Sequence, residues 1–335
     1  MSLLFVSHER CLEHVAGPGH PERPARLGAV SDGLEHAGLL QGLTMVEAPL
    51  APTEAITDVH AVSVLETVER LAAEGGGRID ADTAMSAASF EAGRRAAGAG
   101  LEAIERLTAG EADAAFCAVR PPGHHATANQ SMGFCLFNNV AVAARNLVGS
   151  GERVLIVDYD AHHGNGTQDI FYDDPRVLFV SMHQWPCYPG TGRIDESGSG
   201  PGAGATVNLP LPPGATGDVY AQAWDRHIAA RIDAFEPTWL LLSAGFDAHR
   251  QDPLTEMGLS SGDFADLTRR AMATVPAGRR LVFLEGGYDL AALGASTAAV
   301  VATMLDQQIE VEDRTNGGPG AQIVDLAVDH FRTLA

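Results

Sequence analysis

Short apolar runs recur along the chain at Leu3–Val6, Ala114–Val119, Val154–Asp158, Val177–Ser181, Trp239–Ser243 and Leu281–Leu284. They are rich in Val, Leu, Ile and Phe and do not alternate with polar residues. Runs of that kind predict strands buried on both faces, as in a parallel sheet covered by helices. Longer stretches with helical spacing lie between them: Pro24–Ala37, Ser86–Leu107, Asn138–Val148, Asp218–Phe235, Ser261–Thr274 and Leu290–Leu305. Ser-Ser-Gly-Asp at the start of the fifth is a plausible N-terminal cap. Repeated strand–helix alternation predicts right-handed crossovers and a doubly wound α/β sheet.

The punctuation between these elements adds little. Gly190–Gly204 reads as a long loop, and structureless loops of that length in compact folds are often functional. Asp313–Gln322, with Asn-Gly-Gly-Pro-Gly, reads as a surface excursion before a final helix. No linker and no internal repeat is visible. At roughly 150 residues per domain, 335 residues allow two domains or one large α/β domain.

Composition narrows the partners. The formal net charge is −21, and all 22 basic residues are arginine; the chain has no lysine. That balance argues against nucleic acid, whose phosphate backbone needs clustered positive charge. It suits a soluble acidic surface and is compatible with a cationic ligand. Cys11, Cys117, Cys135 and Cys187 form no C-x-x-C pair, so neither a disulfide framework nor a thiolate zinc site is expected. They read as thiols of a reducing compartment. No run reaches the ~18 apolar residues of a membrane span, and the N-terminus lacks a signal-peptide pattern. The expectation is a cytoplasmic protein that does not engage a membrane.

The chemically useful residues cluster just after the predicted strands. Ala114–Val119 runs into Arg-Pro-Pro-Gly-His124-His125. Val154–Val157 runs into Asp158-Tyr-Asp160-Ala-His162-His163-Gly-Asn165-Gly. Two later runs lead into Ser-Ala-Gly-Phe-Asp247-Ala-His249 and Glu285-Gly-Gly-Tyr288. Ligands of open α/β sheets bind outside the carboxyl ends of the strands, so these residues are expected to converge. Asp160 and His162, two residues apart in extended backbone, point the same way. With Asp247 they make a one-imidazole, two-carboxylate donor set suited to catalytic Zn²⁺ or Fe²⁺. His124 and His125 are candidate acid–base groups, each needing a partner on its far nitrogen, for which Asp158 and Asn165 are the natural candidates. Tyr288 is a candidate hydrogen-bond donor to a developing oxyanion.

These motifs, together with Gly133-Phe-Cys-Leu-Phe-Asn-Asn139 and His20-Pro-Glu-Arg-Pro-Ala-Arg26, resemble the zinc-dependent histone deacetylase family. That family includes the bacterial histone deacetylase-like amidohydrolases and acetylpolyamine amidohydrolases. The resemblance runs in order from His20 to about Leu290, and Asn165 gives it a class II character. It implies an arginase/deacetylase-like fold, one domain over 1–335 with a single parallel sheet of about eight strands and helices on both faces. It implies zinc held by Asp160, His162 and Asp247, and a structural potassium near Asp158, Asp160, His162, Ser181 and Met182. It also implies His125 as base and acid, His124 as its electrostatic partner and Tyr288 as the group that polarises an acetyl carbonyl.

The implied substrate is an acylated lysine of a peptide or protein, or an acetylated small amine. Gly133 and Phe134 match one wall of the family's substrate tunnel. Tyr188 matches the opposite wall, where phenylalanine is usual. Arg26 matches an arginine of the acetate exit channel. Leu254 stands where polyamine-selective relatives carry a glutamate, which favours acyl-lysine over polyamines. Two rivals are disfavoured by residues. Ureohydrolases of the same fold need a second carboxylate in an Asp-x-Asp pair, and this chain reads Asp247-Ala-His249. An inactive binding member would have lost a ligand, the base or the tyrosine, and all are present. Small polyamine-type relatives often dimerise through an inserted loop, and no long insertion stands near His14–His20, so the resemblance implies no particular oligomeric state.

Overall fold

The structure, a computed structural model, describes residues 1–333. Strands β1 (Leu3–Ser7), β2 (Leu43–Glu47), β5 (Ala114–Cys117), β6 (Val154–Asp158), β7 (Val177–Gln184), β8 (Thr206–Leu211), β9 (Trp239–Ala244) and β10 (Arg280–Leu284) form one sheet. Its order is β2-β1-β5-β10-β9-β6-β7-β8, every neighbouring pair parallel. A small antiparallel hairpin, β3 (Gly76–Arg78) with β4 (Ala84–Ser86), lies outside it. The helices are α1 (Ala25–His36), α2 (Thr53–Thr57), α3 (Val62–Ala73), α4 (Ser89–Thr108), α5 (Asn139–Gly149), α6 (Asn165–Phe171), α7 (Gly217–Ala223), α8 (Ala229–Phe235), α9 (Ser261–Met272), α10 (Leu290–Leu305) and α11 (Ala321–Thr333).

The six apolar runs all become strands of the sheet, and five central ones are buried along nearly their whole length. The sequence reading lacks the two edges. β2 exposes most of its side chains, with only Val46 buried, so it carries no continuous apolar run. β8 contains Pro210, tolerated because an edge strand needs only one set of ladder bonds. The helix expected over Asp218–Phe235 is continuous but has a π-helical turn at Trp224–Ile228 between α7 and α8. The sequence pattern does not announce helices α2, α3 and α6, and the strand predicted over Ala114–Val119 ends at Cys117.

Local signals explain the ends. The Ser260 hydroxyl accepts from the Asp263 N–H, and the Asp263 carboxylate accepts from the Ser260 N–H, closing a capping box on α9. Asn138 caps α5 and Asp289 caps α10 through their side-chain oxygens. α4 and α5 pack together against the sheet, while α1, α10 and α9 form a second helical layer. A side chain on Gly33 of α1 would run into the Gly294 backbone of α10, so glycine permits this close crossing.

Candidate active site

β5, β6, β9 and β10 are central neighbours, and all end at the same edge of the sheet. Their following loops are stitched together by carboxylates. The Asp158 Oδ1 atom accepts from the Asp160 N–H at 3.0 Å, and Asp160 Oδ1 accepts from the His162 N–H at 2.9 Å. Asp247 Oδ1, from the β9 loop, accepts from the Ala161 N–H at 2.8 Å. Asp160 Oδ2 accepts from the Gly286 N–H of the β10 loop at 2.8 Å. Each carboxylate is therefore aimed by backbone donors, as ligands of a metal centre usually are.

Asp160, His162 and Asp247 each offer one ligand atom, all within 4.8 Å of one another. His162 Nδ1 lies 2.8 Å from Asp247 Oδ2 and 3.3 Å from Asp160 Oδ1. Asp160 and Asp247 are fully buried, and only a small part of His162 is exposed. Burial and the neighbouring Asp160 charge push the Asp247 carboxyl up. Burial opposes a charge on His162, but Asp247 and Asp160 outweigh it and hold its pKa well above the ordinary value. Two buried carboxylates beside one imidazole attract a proton strongly, and a divalent cation competes for the same atoms. The donor set fits a zinc or ferrous ion, and Gly286 leaves the space beside both carboxylates clear of any side chain.

Next to this cluster, His124 and His125 sit with ring centroids 4.0 Å apart. Their partners differ in charge. His124 Nδ1 is 2.9 Å from Asp158 Oδ2, while His125 Nδ1 is 2.7 Å from Asn165 Oδ1. Burial opposes a charge on His124, but Asp160, Asp158 and Glu285 outweigh it and push the imidazole up to about 10. His125 has only a neutral amide. Burial and the cationic His124 and His162 hold it well below its ordinary value. Because the Asn165 oxygen accepts, His125 carries its proton on Nδ1 and leaves Nε2 free as a base. A pair of titratable groups driven apart in this way separates a base from a cationic partner.

Tyr288 follows β10 through Gly286-Gly287. Arg26 is completely buried, which removes any surface role for it. Its Nε donates to the Gly287 carbonyl at 2.7 Å, a second nitrogen donates to the Glu285 carbonyl, and its guanidinium lies 5.0 Å from the centre of the Tyr288 ring. Glu22 joins Arg26 to the equally buried Arg120. Burial pushes the Tyr288 phenol well above its usual range, so it is a hydrogen-bond donor at neutral pH.

The outer walls are looser. Phe134 meets Tyr288 edge-on at 5.9 Å, and Tyr188 meets His125 edge-on at 5.1 Å. Gly133 packs against the His125 ring. Tyr188 and Leu254 are 37% and 40% exposed, so both belong to the rim. Ser181 pairs with Asp158 across the β6–β7 register, and Met182 follows it. The five residues expected around potassium therefore lie at the end of β6 and on the adjoining part of β7, although the Ser181 hydroxyl is already bonded to His183 Nδ1 at 2.9 Å.

A histone deacetylase domain model matches residues 20–304. The chain belongs to the histone deacetylase family. It is 37% identical to a histone deacetylase-like amidohydrolase of Pseudomonas aeruginosa, over 92% of this chain and 87% of that one. It is 40% identical to a probable deacetylase of Archaeoglobus fulgidus, over 90% and 85% of the two chains. A crystal structure of the HDA15 HD domain superposes with a TM-score of 0.91 at 35% identity, covering 99% of this chain and 96% of that one. The fold is therefore the arginase/deacetylase fold, and the protein is a deacetylase-type hydrolase. No helix among the described residues is long and apolar enough to cross a membrane.

Some residues of the site escape the sequence reading. Glu285, buried, accepts from the Gly123 N–H at 2.7 Å and the His124 N–H at 3.2 Å, and so holds the histidine loop. Burial pushes its carboxyl up to about 7. Glu285 stands directly before Gly-Gly-Tyr288, and a single acid at the end of the apolar run Leu281–Leu284 is the available signal. Asp252, in the Asp-Pro-Leu segment, reaches the Tyr288 backbone. His249 pairs with Glu312 at 2.7 Å and is not one of the Asp160, His162 and Asp247 group.

Proposed function

We propose that the protein is a metal-dependent amidohydrolase that removes an acetyl or other acyl group from the amine of an acyl-lysine-like substrate. The observation that carries this reading is the convergence of Asp160, His162 and Asp247 beside two histidines, one bonded to a carboxylate and the other to an amide, with the Tyr288 phenol near both carboxylates. Zn²⁺ is the favoured ion and Fe²⁺ the alternative; bound by those three side chains, it supplies a Lewis acid for the acyl carbonyl and acidifies a water.

The chain's own residues do the rest. His125, neutral and held by Asn165, takes a proton on Nε2 as the water oxygen adds to the carbonyl carbon. Tyr288 donates a hydrogen bond to the oxygen on which negative charge develops. His124, kept cationic by Asp160 and Asp158, offers that charge a positive neighbour. One histidine then protonates the nitrogen as the C–N bond breaks, leaving acetate and a free amine. Phe134 and Tyr188 give an aliphatic chain two aromatic faces. Arg26 offers the released acetate a buried cation. A potassium ion near Asp158, Asp160, His162, Ser181 and Met182 would brace the β6–β7 ends. The reading takes 1–335 as one deacetylase domain. The four free cysteines support a reducing, cytoplasmic setting.

The test is hydrolysis of a fluorogenic acetyl-lysine peptide by the zinc-loaded protein and its Tyr288→Phe and His125→Ala variants. Turnover is expected only in the parent at appreciable rate; equal turnover in all three overturns the mechanism. Acetylputrescine and acetylspermidine in competition with the peptide test the second reading, a small-amine substrate, which the acidic net charge favours.

A further inference from the structure

The loop after β9 does more than deliver Asp247. Five residues on, Asp252 is 6% exposed and turns its carboxylate towards the β10 loop. Its Oδ2 atom accepts from the Tyr288 N–H at 2.6 Å and from the Asp289 N–H at 3.2 Å. Its Oδ1 atom accepts from the Leu254 N–H at 3.0 Å, closing its own turn. The Thr255 hydroxyl then donates to the Asp247 carbonyl. One short segment thus touches the metal-ligand loop, the rim and the backbone of the tyrosine.

We propose that Asp252 is a positioning residue that sets the height of the Tyr288 phenol over the metal cluster; this rests on the reading of Tyr288 as the oxyanion donor. Tyr288 follows two glycines, which leave its turn with little conformational preference of its own. Arg26 grips the carbonyl side of that turn, at Glu285 and Gly287. Asp252 grips the N–H side. A backbone hydrogen bond to a buried carboxylate is short and strong, so the two grips together fix the ring. The same carboxylate joins the β9 and β10 loops, so the phenol and Asp247 stay in register. A developing oxyanion rewards donors only when they are already in place, so a loosened Tyr288 costs turnover more than substrate binding.

The experiment is a double-mutant cycle on acetyl-lysine peptide hydrolysis, using Asp252→Ala, Asp252→Asn and Tyr288→Phe in the full chain, with zinc content measured for each. Asp252→Ala is expected to lower kcat by about tenfold or more with KM changed less than about threefold. Asp252→Asn keeps one accepting oxygen and should recover part of that loss. In the Tyr288→Phe background Asp252→Ala should cause little further loss, because its effect runs through the phenol. The zinc content should match the parent. The inference is overturned if the two changes multiply, if both Asp252 variants turn over like the parent, or if Asp252→Ala loses zinc and excess zinc restores its rate. A fully active Tyr288→Phe variant overturns the tyrosine reading and this inference with it. An inactive Tyr288→Phe variant beside unimpaired Asp252 variants overturns this inference alone.

Discussion

The floor of the site and its rim are built differently. On the floor, Asp160, Asp247 and His124 are buried, and each is held by neighbours from a strand loop other than its own. At the rim, Tyr188 and Leu254 are more than one third exposed. Removing one buried partner leaves a charge or polar atom stranded, whereas an exposed side chain can be exchanged at small cost. On the proposed function, the floor would determine which reaction is possible and the rim would adjust which amine is accepted.

That contrast can be broken from the floor upward. The largest effect is expected from Asp247→Ala or His162→Ala, which should lower zinc content and reduce hydrolysis to background; an active, zinc-free variant would contradict the assignment. Next, Tyr288→Phe should cost about 10²–10³-fold in kcat with intact metal binding, measured by steady-state kinetics. His125→Ala should cost a comparable factor within about 10²–10⁴. At the rim, Tyr188→Phe should change KM by less than about tenfold and leave kcat nearly unaltered. Leu254→Glu should raise selectivity for acetylspermidine over a neutral acetyl-lysine peptide by about fivefold at most, since the added carboxylate is solvent-exposed. A rim change that abolished kcat would erase the distinction.

Acid should weaken the framework beneath both regions. His60 is buried, with Nδ1 at 2.8 Å from the Thr127 carbonyl and Nε2 accepting from the Asn138 N–H at 2.9 Å. Burial lowers its pKa to about 4. The unfolded chain binds this proton near pH 6.5 and the folded chain only near 4. The unfolded state thus holds more protons in between, and stability falls as pH drops through that window, by up to about 3 kcal/mol from this group. Urea unfolding at pH 7 and pH 4.5 should show the loss, and His60→Gln should make the pH slope shallower. A slope unchanged in the variant would exclude His60 as a contributor.

The chain's own pattern made the floor readable because strand ends concentrate their functional residues in short segments. Val154–Asp158 names a buried strand, and the next residues bring Asp160, His162 and Asn165 with it. What stayed hidden depends on contacts between loops far apart in sequence. Glu285 reaching Gly123, Asp252 reaching Tyr288 and Glu22 reaching Arg120 leave no local pattern. The edge strands stayed hidden for another reason. β2 is mostly solvated and β8 contains a proline, so neither resembles the continuous apolar runs of the centre.

The most direct test of a metal-dependent deacetylase built on these residues is metal removal and return. The chelated protein is titrated with Zn²⁺ while hydrolysis of an acetyl-lysine peptide is followed. Activity should vanish in the stripped protein and return to a plateau at one zinc per chain, with Tyr288→Phe binding the same zinc yet remaining slow. Full activity without metal, or a plateau only at two ions per chain, would contradict the account.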